Sequence, residues 1–278
     1  MALFNFTKKQ ITEPVYHEDE DNFNLSEGAH ILINCKNVVL SGTACVMEST
    51  DSTYIEVVGH SKIQIFHSGA IKLLGGNAKI GMIKTAKIEK MCDFAEITSI
   101  NYCEFEYITN NSKIGTFNDG LIRFLDKKSD ISTFNNGEIM FMRDSASIGT
   151  MINGKIEGIA NNSRIDTVMN GSIGYVLNKV KIGTFNQGSI KELCDSAQID
   201  TMNDGVIMHM RGNSMIYQQI GGEIKSKSGE ALLVYKPKKT RKIEDQIEMD
   251  ISNIMIKKSP KKDTKKILEN INLTNTDN

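Results

Sequence analysis

Apolar positions return along this chain every 17 residues. Stepping by 17 from Ile63 meets Ile80, Ile97, Ile114, Ile131, Ile148, Ile165, Ile182, Ile199 and Ile216, ten consecutive isoleucines without an insertion. With these as position one, position nine reads Ile71, Ile88, Phe105, Ile122, Ile139, Ile156, Ile173, Ile190, Ile207 and Ile224. Position twelve is large and apolar from Leu74 to Met210, and position four from Phe66 to Met202. Position sixteen is small almost throughout, from Ala44 and Ser61 to Ser214, with Val180 the exception. Position seven is Gly in eight of the ten units from Gly69 to Gly222; Ala86 and Cys103 depart from it. Position three is Thr at Thr116, Thr133, Thr150, Thr167, Thr184 and Thr201.

A 17-residue unit is too short for a pair of helices. It holds β-branched residues in short runs between turn residues such as Asn118-Asp119-Gly120 and Asn135-Asn136-Gly137. It cannot bury its own apolar face, but it can when stacked on a neighbour. Identical side chains then lie above one another at the strand spacing of about 4.8 Å. The pattern predicts an all-β fold, a single-chain parallel β-helix or β-solenoid. About eleven coils run from Val46 to roughly Lys225, with residues 29–45 as a degenerate first coil. The preference of parallel crossovers predicts a right-handed coil. A Gly in nearly every unit excludes helical repeats. Apolar steps of three, five, three, four and two match neither the leucine-rich repeat nor the six-residue acyltransferase solenoid.

The ends differ from the repeat. Residues 1–28 hold two basic and six acidic residues and read as a flexible acidic leader. Leu3, Phe4 and Phe6 before Lys8 and Lys9 give it the character of a weak membrane-surface anchor. Residues 29–235 form the solenoid and its caps, with Ala231 to Tyr235 as an apolar capping strand and Asn37 at position nine of the first coil. Residues 236–278 carry 11 Lys+Arg against 7 Asp+Glu, a basic tail in a chain of net charge -1. In that tail Ile243, Ile247, Ile251 and Ile254 fall on one face of an amphipathic helix over 243–256, a candidate oligomerisation element.

Composition narrows the chemistry. With 40% hydrophobic and 24% charged residues in 278, the chain is not of disordered composition. No apolar run reaches the length of a membrane span, and no secretory signal core is visible. Near-neutral charge gives no reason to expect specific nucleic-acid binding. Cys35, Cys45, Cys92, Cys103 and Cys194 are scattered without a CxxC pair, as expected of reduced cysteines in a cytoplasmic protein. His17, His30, His60, His67 and His209 show no metal-binding spacing. Asp93, Asp144 and Asp195 share position fourteen with Asn110, Asn161 and Asn178. Polysaccharide-cleaving β-helices use clustered Asp, but here the column reads as Asx residues satisfying turn backbone. No enzyme activity, cofactor or metal is expected.

Position eleven reads Tyr107, Phe124, Phe141, Gly158, Tyr175, Glu192 and His209, and position ten adds Met140 and Met208. With nine and twelve pointing inward, ten and eleven lie near a corner. The apolar character of Tyr107, Phe124, Phe141 and Tyr175 favours a second interior row. The alternative is an exposed interaction stripe running on to His209.

The recurring Gly-x-Ile of Gly120-Leu121-Ile122, Gly137-Glu138-Ile139, Gly154-Lys155-Ile156 and Gly188-Ser189-Ile190 resembles the bactofilins, polymer-forming β-solenoid proteins of bacteria. The Phe4, Phe6, Lys8, Lys9 leader is similar to the membrane-targeting leader of some members. The resemblance implies end-to-end filaments, a scaffolding role and no catalytic residues. The expected function is therefore a non-enzymatic scaffold that associates with itself. The alternatives are a viral or surface β-helix that binds a glycan or protein along one face, and a β-helix hydrolase or lyase.

Overall fold

The structure, a computed structural model, describes residues 13–235. The chain divides into two compact units, residues 1–236 and 237–278, and every described residue belongs to the first. The proposed helix 243–256, with Ile243, Ile247, Ile251 and Ile254, lies outside the described residues, as do Phe4 and Phe6.

Every strand pairing is parallel, and each coil lies on the next in register. Ile97 pairs with Ile114, which pairs with Ile131. On the other side of the coil, Phe105 pairs with Ile122 and Ile122 with Ile139. This is a parallel β-solenoid of about thirteen turns. Inward residues are those at positions one, four, nine, twelve and sixteen; Ile114, Phe117, Ile122, Leu125 and Ser129 of one coil are all 0% exposed. Position sixteen accepts Ser as readily as Ala because the buried hydroxyl finds a carbonyl three residues back. Ser61 donates to Val58 at 2.7 Å and Ser163 to Ala160 at 2.7 Å.

The solenoid begins earlier than the repeat suggests. Val15–Glu18 is a strand paired with Ala29–Ile33, so residues from Val15 onward belong to the stack rather than to a flexible leader. Counting from Val15 gives thirteen coils, not eleven. The step from Val15 to its partner His30 is 15 residues and from His30 to Val46 is 16, after which it stays at 17. A 17-residue step therefore misses the first coil and sets the second, read as the degenerate coil 29–45, out of register by one residue. The register shifts between His30 and Ile31 and between Val38 and Val39 absorb the difference. Position nine of the second coil is accordingly Val38, fully buried and paired with Tyr54, while Asn37 sits in a turn with φ of 54°.

Coil three shows how a size change is absorbed. Position four there is Ser49 where its neighbours on either side carry Leu32 and Phe66. Position nine is correspondingly large: Tyr54 fills the space and its hydroxyl donates to Ser49 Oγ at 2.8 Å. Burial pushes the Tyr54 phenol far above its ordinary pKa, so it stays a neutral donor.

Two bends close each coil. At position seven the chain turns through glycines such as Gly120, at φ 124°. A Cβ there would sit 2.1 Å from the Cys103 carbonyl oxygen of the coil before. At position fourteen the backbone is left-handed in coil after coil: Asp93 at 62°, Asn110 at 56°, Asp144 at 56°, Asn161 at 55°, Asn178 at 60° and Asp195 at 58°. Asx and Gly tolerate that conformation best, which explains the column's composition.

The described ladder has two ends. Among the described residues Val15–Glu18 pairs on one side only, as do Glu223–Lys227 and Leu232–Tyr235 at the far end. The expected capping strand is therefore a further half-coil. Val15 and Tyr16 at one end, and Leu232 and Val234 at the other, are exposed.

Candidate interaction face

The position-eleven column lies outside the core, which corrects the reading of it as a second interior row. Between the inward residues at nine and twelve, both ten and eleven face solvent: Tyr107 is 42% exposed and Phe141 45%. The interior is filled by nine and twelve and has no room for a further aromatic on the same strand.

The structure brings three of the five predicted stripe residues into one stack. Tyr107 and Phe124 lie 5.0 Å apart between ring centroids and 10° from parallel. Phe124 and Phe141 lie 5.8 Å apart and 18° from parallel. In-register parallel pairing of Tyr107, Phe124 and Phe141 enforces this spacing. Arg143 steadies the stack. Its guanidinium carbon sits 5.0 Å from the Phe124 centroid, and its Nε and Nη2 donate to the two carboxylate oxygens of Asp126 at 2.9 and 3.1 Å. That bond to Asp126 raises the Arg143 pKa above its ordinary value. Asp126, buried at 7% exposure, is thus a paired carboxylate, as burial requires.

Tyr175 and His209 stand apart from the stack. Gly158 intervenes between Phe141 and Tyr175, leaving one rung of bare backbone. Glu192 intervenes between Tyr175 and His209. Lys191 Nζ donates to the Tyr175 hydroxyl at 2.9 Å and lies 5.0 Å from its ring centroid; that hydrogen bond raises the Lys191 pKa. His209 Nδ1 is 2.7 Å from Ser226 Oγ.

Sequence reasoning missed the charges that flank the stripe. Position ten carries Lys72, Glu89, Glu106, Arg123, Met140, Glu157, Gly174, Lys191 and Met208, and Lys90 precedes Tyr107 in position eleven. Arg123 pairs with Glu106 one coil away at 2.9 Å, with both side chains about half exposed. No one residue type fills this column, so a search for a repeated identity passes over it. The mixture of both signs along it was the available signal.

The acidic column gives no catalytic geometry. Asp93, Asp144 and Asp195 are three coils apart, roughly 14 Å at strand spacing. Paired-carboxylate glycosidases hold theirs within about 10 Å. Asp144 instead accepts from Asn161 Nδ2 at 3.1 Å and Asp195 from the Asn178 backbone N–H at 3.0 Å, both on neighbouring turns. Among the described residues no group of three His, Cys, Asp or Glu is placed to hold a metal. All five cysteines are free, and burial pushes the thiol pKa up at Cys35, Cys92, Cys103 and Cys194. The chain matches no protein-family model, no curated protein and no solved structure.

Proposed function

We propose that this protein is a non-enzymatic structural scaffold that associates with itself through its solenoid. The observation that supports this most is the pair of open ladder edges. The first coil presents Val15–Glu18 and the last presents Glu223–Lys227 and Leu232–Tyr235, each paired on one side only among the described residues. A parallel coil offers opposite edges at its two ends, so the end of one molecule fits the start of the next. Such a head-to-tail contact need not close and leads to filaments. This agrees with the polymer formation that the bactofilin resemblance implies. The 243–256 segment offers a second route, which would give a discrete dimer or trimer.

Electron microscopy of the full-length protein separates these routes. Filaments that vanish in Tyr16→Pro support end stacking. Discrete oligomers that are lost on deleting residues 240–278 support the helix route. A second reading, a platform for a glycan or another protein, is favoured by the exposed Tyr107–Phe124–Phe141 stack. It becomes the better account if the protein is monomeric.

A further inference from the structure

We infer that the face carrying columns ten and eleven is a lateral docking surface for a second copy of this chain, laid antiparallel. The inference rests on the self-association proposed above but uses a different contact from the coil ends. Consider a two-fold axis lying in the face, perpendicular to the stack and level with Phe141. It sets each column opposite itself with the order of coils reversed. In column eleven Phe141 then faces its own copy, Phe124 faces the bare rung at Gly158, Tyr107 faces Tyr175, and Lys90 faces Glu192. In column ten Glu89 faces Lys191, Arg123 faces Glu157, and Glu106 faces Gly174. Every facing charged pair is of opposite sign. Symmetry makes each pair twice, so three kinds of pair become six contacts.

The register is selective. Sliding one copy by one coil in one direction sets Lys72 against Lys191 and Glu106 against Glu157. Sliding it the other way sets Lys72 against Lys225 and leaves one pair of opposite sign, Glu106 against Lys191, in place of three. A parallel arrangement with its axis along column eleven sets Lys90 against Lys90 and Glu192 against Glu192. Like charges facing each other across an interface suppress those alternatives. The strip from Lys90 to Glu192 spans six coil steps, roughly 29 Å. A contact confined to this strip and built on exposed charges is concentration-dependent and weakened by salt.

The test is a charge exchange on the full-length chain. Lys191→Glu alone, or Glu89→Lys alone, should weaken lateral association about tenfold or more, and the E89K/K191E double variant should return it to within about threefold of the original. Positions 89 and 191 lie six coils apart in one chain, so rescue can only pass through a second copy. Cross-linking fixes the direction. With Cys45 and Cys194 changed to Ser, a mixture of Tyr107→Cys and Tyr175→Cys variants should be joined by a short bismaleimide, and neither variant alone. Assemblies that persist with no effect of the charge variants and no mixed cross-link overturn the lateral contact and leave end stacking standing. Cross-linking of each single variant overturns the antiparallel direction. A protein that is monomeric throughout overturns both, and gives the face to another kind of partner.

Discussion

Columns one and nine carry isoleucine on nearly every coil, whereas columns ten and eleven carry Lys, Glu, Tyr, Phe, Arg, Met and Gly in turn. The two sets are neighbours on one strand and share one backbone. They differ in what selects the side chain. An inward column meets the same column above and below it, so a residue that packs well once packs well in every coil. An outward column meets water and whatever docks there. Uniformity therefore marks the interior of this solenoid, and variation marks its surface.

Three substitutions break or sharpen that contrast, in falling order of effect on stability. Ile156→Asp places a carboxylate in the fully buried position-nine column, between Ile139 and Ile173. It should cost roughly 4 kcal/mol or more and abolish the cooperative thermal transition followed by circular dichroism. A variant that melts like the parent would show that this column is not interior.

Phe117→Ala removes a ring buried at 0% exposure and stacked 5.5 Å from Phe134. Urea unfolding should register a loss of about 3–5 kcal/mol, because the cavity is walled by in-register strands that cannot collapse into it.

Phe141→Ala removes a ring of similar size from the face. With 45% of the residue exposed, the loss should be only about 1 kcal/mol. Its larger consequence should be in sedimentation, as weaker association at unchanged fold. Equal stability losses for Phe117 and Phe141 would erase the distinction between the two sets of columns.

The interior was readable because burial repeats its demands at a fixed interval. Ile63 to Ile216 announces a ladder without any structural knowledge. The Asx column was readable for the same reason, since a left-handed turn at Asp144 or Asn161 admits few residue types. Three features resisted. The first two coils are 15 and 16 residues long, so Val15 and His30 fall out of step with a 17-residue count. The column of Tyr107, Phe124 and Phe141 looked interior because its residues are apolar, yet exposure of apolar residues is ordinary and only geometry assigns their side. The charges at Glu89, Arg123, Glu157 and Lys191 form no column of one residue type, so a repeat search finds no signal in them.

The most direct test of the scaffold reading is sedimentation velocity on the full-length protein across a concentration series reaching tens of micromolar, at low and high salt. The account predicts species larger than one chain that grow with concentration and shrink as salt screens the lateral contact. A single monomeric boundary at every concentration and both salt levels would contradict it.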